Sequence, residues 1–182
     1  MKKLIVTVFG SSHPSEGDQE YQFAYDLGKR LATEGFTLCN GGYGGTMEAS
    51  ARGAREYGGT TIGIIAEQFG HKANQYVDRI ITVKTHIERL LKLIEMGDAY
   101  VVLRGITGTL AELAVAWEYT AKGFIKQKPI LLMGDFWKPI VDTISPEFRR
   151  EGLPQMAEYP TIVQSIDECM ENLNKFSKFE TF

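Results

Sequence analysis

Short apolar runs rich in isoleucine and valine alternate along this chain with longer amphipathic segments. The runs at 4–9, 37–40, 61–65, 79–83, 99–103 and 129–133 carry the signature of strands. Several, such as Ala99-Tyr-Val-Val-Leu103, are apolar without alternation, as expected of strands covered on both faces. Between them, helical periodicity predicts helices near 16–34, 45–57, 85–96, 108–122, 135–144 and 165–176. Strand and helix in strict alternation imply a parallel sheet with right-handed crossovers. The expected fold class is α/β, a Rossmann-like doubly wound sheet in three layers.

The pattern also marks the segments outside these elements. Residues 67–78 are polar and predict a surface loop over a site. Residues 149–160 hold Gly152, Pro154 and Pro160 and read as loop. The tail from Lys175 to Phe182 reads as frayed, or as docking through Phe176, Phe179 and Phe182 on the body or on a partner subunit. No repeat or linker interrupts the chain, so residues 1–182 are expected to form one domain.

Bulk properties narrow the function classes. The chain has 182 residues, a size suited to one domain with a real core. A net charge of −3 argues against a general nucleic-acid grip, which needs a basic surface. Cys39 and Cys169 are far apart, and His13, His71 and His86 are scattered, so neither a disulfide framework nor a metal site is expected. The N-terminal apolar run is too short for a signal peptide and ends in Gly-Ser-Ser, and no segment has the length of a membrane span. The expected location is the cytoplasm, away from membranes.

Three strand-to-helix turns carry unusual residues: Gly10-Ser11-Ser12; Asn40-Gly41-Gly42-Tyr43-Gly44-Gly45-Thr46; and Arg104-Gly105-Ile106-Thr107-Gly108-Thr109. Glycine lets a backbone approach a ligand closely. The first helical amides then point at the ligand, and the helix dipole favours an anion. The hydroxyls of Ser11, Ser12, Thr46, Thr107 and Thr109 add donors, and Arg104 could add a charge. These turns predict a nucleotide-phosphate site. They are not a GxGxxG fingerprint or a P-loop, so NAD oxidoreductase and ATPase readings are weak.

The second and third turns resemble the motifs of the LOG family, named for a plant cytokinin riboside monophosphate phosphoribohydrolase. Residues 41–54 look like the family's first glycine motif. Gly105-Ile106-Thr107-Gly108-Thr109-Leu110-Ala111-Glu112 looks like its hallmark, Pro-Gly-Gly-x-Gly-Thr-x-x-Glu. The likeness spans about residues 3–145. It implies a Rossmann-like fold, dimers or larger homo-oligomers, and a small-molecule nucleotide as ligand. By position, Glu112 is similar to the catalytic glutamate, Arg89 to the catalytic arginine, and Gly108 and Thr109 to the phosphate-binding pair. The implied activity is hydrolysis of the N-glycosidic bond of AMP or a modified AMP, without metal or organic cofactor.

This chain departs from the pattern at Arg104, where the family has proline, at Ile106, where it has glycine, and at Leu90, where lysine follows the arginine. These departures favour the alternative of a non-catalytic carrier of the same fold, binding a nucleotide or the molybdenum cofactor. A pyridoxal-dependent decarboxylase is a distant third, since Lys84, Lys92 and Lys122 lie in no pyridoxal motif.

Two residues have competing structural readings. Thr109-Leu-Ala-Glu112 also fits a capping box, which would bind Glu112 to the helix start. Arg89 also fits a solvated helix face with Glu88, Lys92 and Glu95, opposite a stripe of Ile87, Leu90, Leu91 and Ile94, with Glu88 and Lys92 as an i,i+4 pair.

Overall fold

The structure, a computed structural model, describes residues 3–179. Seven strands form one parallel sheet: β1 (Ile5–Phe9), β2 (Thr37–Asn40), β3 (Thr61–Ala66), β4 (Arg79–Val83), β5 (Ala99–Val102), β6 (Ile130–Met133) and β7 (Pro160–Val163). Their spatial order is β4-β3-β2-β1-β5-β6-β7. The helices are α1 (Gln19–Thr33), α2 (Thr46–Glu56), α3 (His86–Met96), α4 (Thr107–Ala121), α5 (Lys138–Arg150) and α6 (Ile166–Phe179). Among the described residues no helix is long and apolar enough to cross a membrane.

Side-chain alternation along the strands builds two cores. Val6, Val8, Val101 and Leu131 face one side, where residues of α1, α2 and α6 join them. Phe9, Tyr100, Val102, Ile130 and Leu132 face the other, against α3 and α4. Burial on both faces is why these strands read as continuous apolar runs. It also fixes the functional geography. The chain leaves β1 toward one face and β5 toward the other, so a crevice opens between their carboxyl ends. That reversal is where ligands bind in open α/β sheets.

Three boundaries differ from the sequence reading. Pro160 is not loop but opens β7, pairing in register with Ile130. Proline lacks a donor and is tolerated at the start of an edge strand. Helix α5 starts three residues late, after a 3-10 turn at Asp135–Trp137, and runs on through Pro146 to Arg150. Asp142, four residues before Pro146, is exposed, so water can serve the carbonyl that proline leaves without a donor. The tail from Lys175 to Phe179 continues α6 rather than fraying. Phe182 lies outside the described residues.

Candidate active site

The crevice between β1 and β5 is a cavity of about 210 Å³. Gly10, Ser11, Ser12 and His13 line it from the β1–α1 turn, Gly41, Tyr43 and Met47 from the β2–α2 region, and Ile106, Gly108, Thr109 and Glu112 from α4 and its approach. Phe69, His86 and Arg89 complete the wall.

Arg89 and Glu112 face each other inside. Their side chains are 6% and 10% exposed, and Arg89 Nη1 lies 3.8 Å from Glu112 Oε1. The solvated-face reading of Arg89 is therefore overturned. Thr85 caps α3 by accepting the Glu88 amide, while Glu88 accepts the amide of Lys84, and Lys92 pairs with Glu95 instead of Glu88. This start rotates the helix so that Arg89 points inward with Leu90, Leu93 and Ile94, leaving Ile87 63% exposed. Arg89 Nε donates to the Ile64 carbonyl at 2.8 Å, Nη2 lies 3.6 Å from Met47 Sδ, and the guanidinium sits 5.3 Å from the Tyr43 ring centroid.

The capping-box reading of Glu112 fails for a register reason. Helix α4 begins at Thr107 with Ile106 as N-cap, so Thr109 and Glu112 both stand inside the helix. No side chain caps α4. Its first-turn amides, including those of Gly108 and Thr109, therefore lack an intrahelical partner. Space beside the Gly108 Cα is open. Burial raises the Glu112 carboxyl to about 7, although Arg89 pulls it down. Burial likewise lowers the Arg89 guanidinium, with Glu112 opposing.

The glycines of the second turn serve packing as much as ligand approach. A Cβ on Gly41 would fall 1.5 Å from Arg89 Nη2, so only glycine leaves room for the guanidinium. Gly45 caps α2 at φ 68°, where a side chain would also strike the Ser11 carbonyl. The Gly42 amide is taken by Asn40 Oδ1, and Thr46 donates through both its amide and its hydroxyl to the Ser11 carbonyl. Gly44 lines an adjoining cleft rather than the cavity.

In the third turn, Gly105 packs against the Thr109 side chain and Thr107 is exposed. Neither lines the cavity, nor does Arg104, whose guanidinium stacks 4.8 Å from the Phe136 ring centroid beside a different hollow. Ile106 is extended, at φ −112° and ψ −150°, a conformation that needs no glycine. Its side chain is 65% exposed at the cavity rim.

Sequence reasoning missed Tyr43, Met47, Phe69, His13 and His86. The three histidines, scattered in sequence, all come to this region: His13 and His86 in the cavity and His71 in the adjoining cleft. Burial, with a contribution from Arg89, lowers the His86 imidazole below its ordinary value, and its Nδ1 is buried without a hydrogen-bond partner. Only the predicted loop over the site, which carries Phe69 and His71, hinted at these walls. Among the described residues no His, Cys, Asp or Glu cluster suits a metal ion.

Residues 3–152 match the SLOG cluster4 family. The chain belongs to that family. Two relatives of this SLOG cluster4 protein are informative. An uncharacterized protein of Archaeoglobus fulgidus is 32% identical over 135 residues, covering 74% of this chain and 87% of the relative. A cytokinin riboside 5′-monophosphate phosphoribohydrolase of Mycobacterium tuberculosis is 33% identical over 137 residues, covering 72% and 71%. Among solved structures, the molybdenum cofactor binding protein of Rippkaea orientalis matches with a TM-score of 0.75 at 28% identity, covering 97% of this chain and 98% of that one.

Proposed function

We propose that this SLOG cluster4 protein hydrolyses the N-glycosidic bond of a nucleoside 5′-monophosphate, AMP or a modified AMP, to free base and ribose 5-phosphate. The observation that carries the reading is the buried Glu112 carboxyl facing Arg89 in a cavity bordered by the unpartnered amides of Gly108 and Thr109. Relatives named as phosphoribohydrolases support it.

The phosphate binds the Gly108 and Thr109 amides, where the helix dipole favours an anion, with the Ser11 and Ser12 hydroxyls alongside. Cleavage gives the ribose oxocarbenium character. The ionised Glu112 stabilises that charge and takes a proton from the attacking water. Arg89 holds the substrate through charge-assisted hydrogen bonds. The test is chromatographic detection of free base from a panel of monophosphates. Failure to release base from any of them overturns the reading.

The likeness to the Rippkaea protein favours a second reading, a carrier of a phosphate-bearing cofactor. It predicts ligand-induced thermal stabilisation by molybdopterin, without turnover of nucleotides.

The protein acts as a homo-oligomer in this proposal. Ile87 and Leu91, one helical turn apart on α3, are exposed. The neighbouring α4 carries Leu110, Ala111, Val115 and Tyr119 only partly buried around its circumference, and a helix apolar on all sides calls for cover.

A further inference from the structure

The cavity of Arg89 and Glu112, at about 210 Å³, is smaller than the ~300 Å³ at which sites for small organic ligands usually begin. A nucleotide seated there extends beyond it. A second cleft of about 530 Å³ adjoins, and the two share Ser12, Tyr43 and Phe69. These three residues form a neck. Tyr43 is held rigidly: its hydroxyl donates to the Ala66 carbonyl at 3.2 Å and accepts the Ala66 amide at 2.9 Å. Phe69 meets the Tyr43 ring edge-on at 5.8 Å and leans on His86 at 5.2 Å. Two aromatic walls suit a flat ring such as a base.

Beyond the neck the lining turns polar. Asn74 donates its side-chain amide to the Gly42 and Tyr43 carbonyls, and Glu48 accepts from the Tyr21 hydroxyl at 3.4 Å. Lys72 forms no ion pair among the described residues and borders the cleft beside His71. Gly44, next to the Gly45 N-cap of α2, is also on the wall. Lys72 favours negative charge there, whereas the α2 start is already answered by Glu48 in its first turn, on the same wall.

We propose that this cleft is a second subsite, seating an acidic arm carried by the base of the nucleotide, with Lys72 as its counter-charge. The inference rests on the nucleotide reading of the first cavity and narrows it. The preferred ligand is an AMP whose exocyclic nitrogen carries a carboxylate-bearing substituent, and a hydrocarbon arm of similar length is disfavoured.

Calorimetry with AMP, N6-isopentenyl-AMP and N6-succinyl-AMP tests this. Glu112→Gln protein suppresses turnover, and the same ranking read as KM on wild-type enzyme guards against misfolding of that variant. The succinyl compound is expected to bind about tenfold more tightly than AMP, the effect of one charge-assisted contact. That ratio collapses to near unity in Lys72→Glu. An isopentenyl compound that binds as tightly as the succinyl one, or a ratio unmoved by Lys72→Glu, overturns the subsite. AMP hydrolysis without any preference among arms sinks the subsite alone. If none of the three compounds binds, the nucleotide reading fails with it.

Discussion

The Glu112 carboxylate stands 3.8 Å from the Arg89 guanidinium, close enough to feel its charge but beyond hydrogen-bond reach. Neither group has its full complement of partners, so the pair is poised to accept a polar ligand beside them. Replacing Glu112 with glutamine keeps shape and removes the charge. The expected outcome is loss of base release by at least ~10²-fold, the scale of one positioned acid–base group, with nucleotide affinity largely kept. Single-turnover assays and calorimetry on the same sample check it. Equal loss of binding and turnover would assign Glu112 to holding substrate instead.

Stability should carry the mark of the same group. The Glu112 pKa in the folded protein lies at about 7, above its ordinary 4.5. Between those values the folded state holds a proton that the unfolded state has released, so stability falls as pH rises through that window. The contribution is present in full below pH 4.5 and gone above 7, about 3 kcal/mol in all. Glutamine mimics the protonated acid at every pH. Wild type and Glu112→Gln should therefore match at pH 4 and diverge by pH 8, with the variant the more stable. Urea titrations across that range measure it. Base release should show the reverse trend, rising through pH 7 as the carboxylate ionises.

Much of this arrangement was legible in the chain. Six strands and the α/β alternation follow from runs rich in apolar residues; 99–103 is the clearest because both sheet faces bury it, whereas the edge strand β4 read as a strand from its isoleucines and valine although it is largely exposed. Glu112 and Gly108 followed from a motif local to one turn. The inward aim of Arg89 did not. It depends on helix register, which Thr85 and Glu88 set through a cap four residues upstream. Pro160 misled because a strand-breaking residue in a central strand is harmless at the edge. The walls made by Tyr43, Phe69 and His86 come from separate loops, joined only by tertiary packing.

Gly41 provides a test of Arg89 that leaves the arginine itself unchanged. In Gly41→Ala the new methyl would occupy the position of Nη2, at 1.5 Å. The guanidinium must move, losing its bond to Ile64 and its approach to Glu112. The expected cost is about 3 kcal/mol of stability, as for a buried charge deprived of its partners. Removing the nearby positive charge also raises the Glu112 pKa further, so the acid limb of the pH–rate profile shifts to higher pH. A profile identical to wild type would disconnect Arg89 from Glu112.

The exposed face of α3 makes a prediction about assembly. Leu91→Glu together with Ile87→Glu puts charge where apolar cover is proposed. Light scattering should show wild type as a dimer or larger and the variant as a monomer, with little change in the melting temperature of the monomeric fold. Wild type that is monomeric at micromolar concentration would remove the basis for a homo-oligomer.

Ile106 decides how the phosphate end is reached. The backbone there is extended and places no demand for glycine, so the side chain is a matter of access. It stands at the rim of the cavity, next to the amides of α4, and is mostly in solvent. Ile106→Gly removes apolar cover from that helix start and restores the residue type found in the LOG hallmark. Stability should change by less than ~1 kcal/mol, since little buried area is lost and the position caps the helix without using its side chain. Inorganic phosphate should inhibit the variant more strongly, by about three- to tenfold in Ki, or roughly 0.6–1.4 kcal/mol. Ile106→Ala should fall between the two. Phosphate inhibition that is the same in all three proteins would place the anion away from Gly108 and Thr109 and direct attention to the Gly10–Ser12 turn instead.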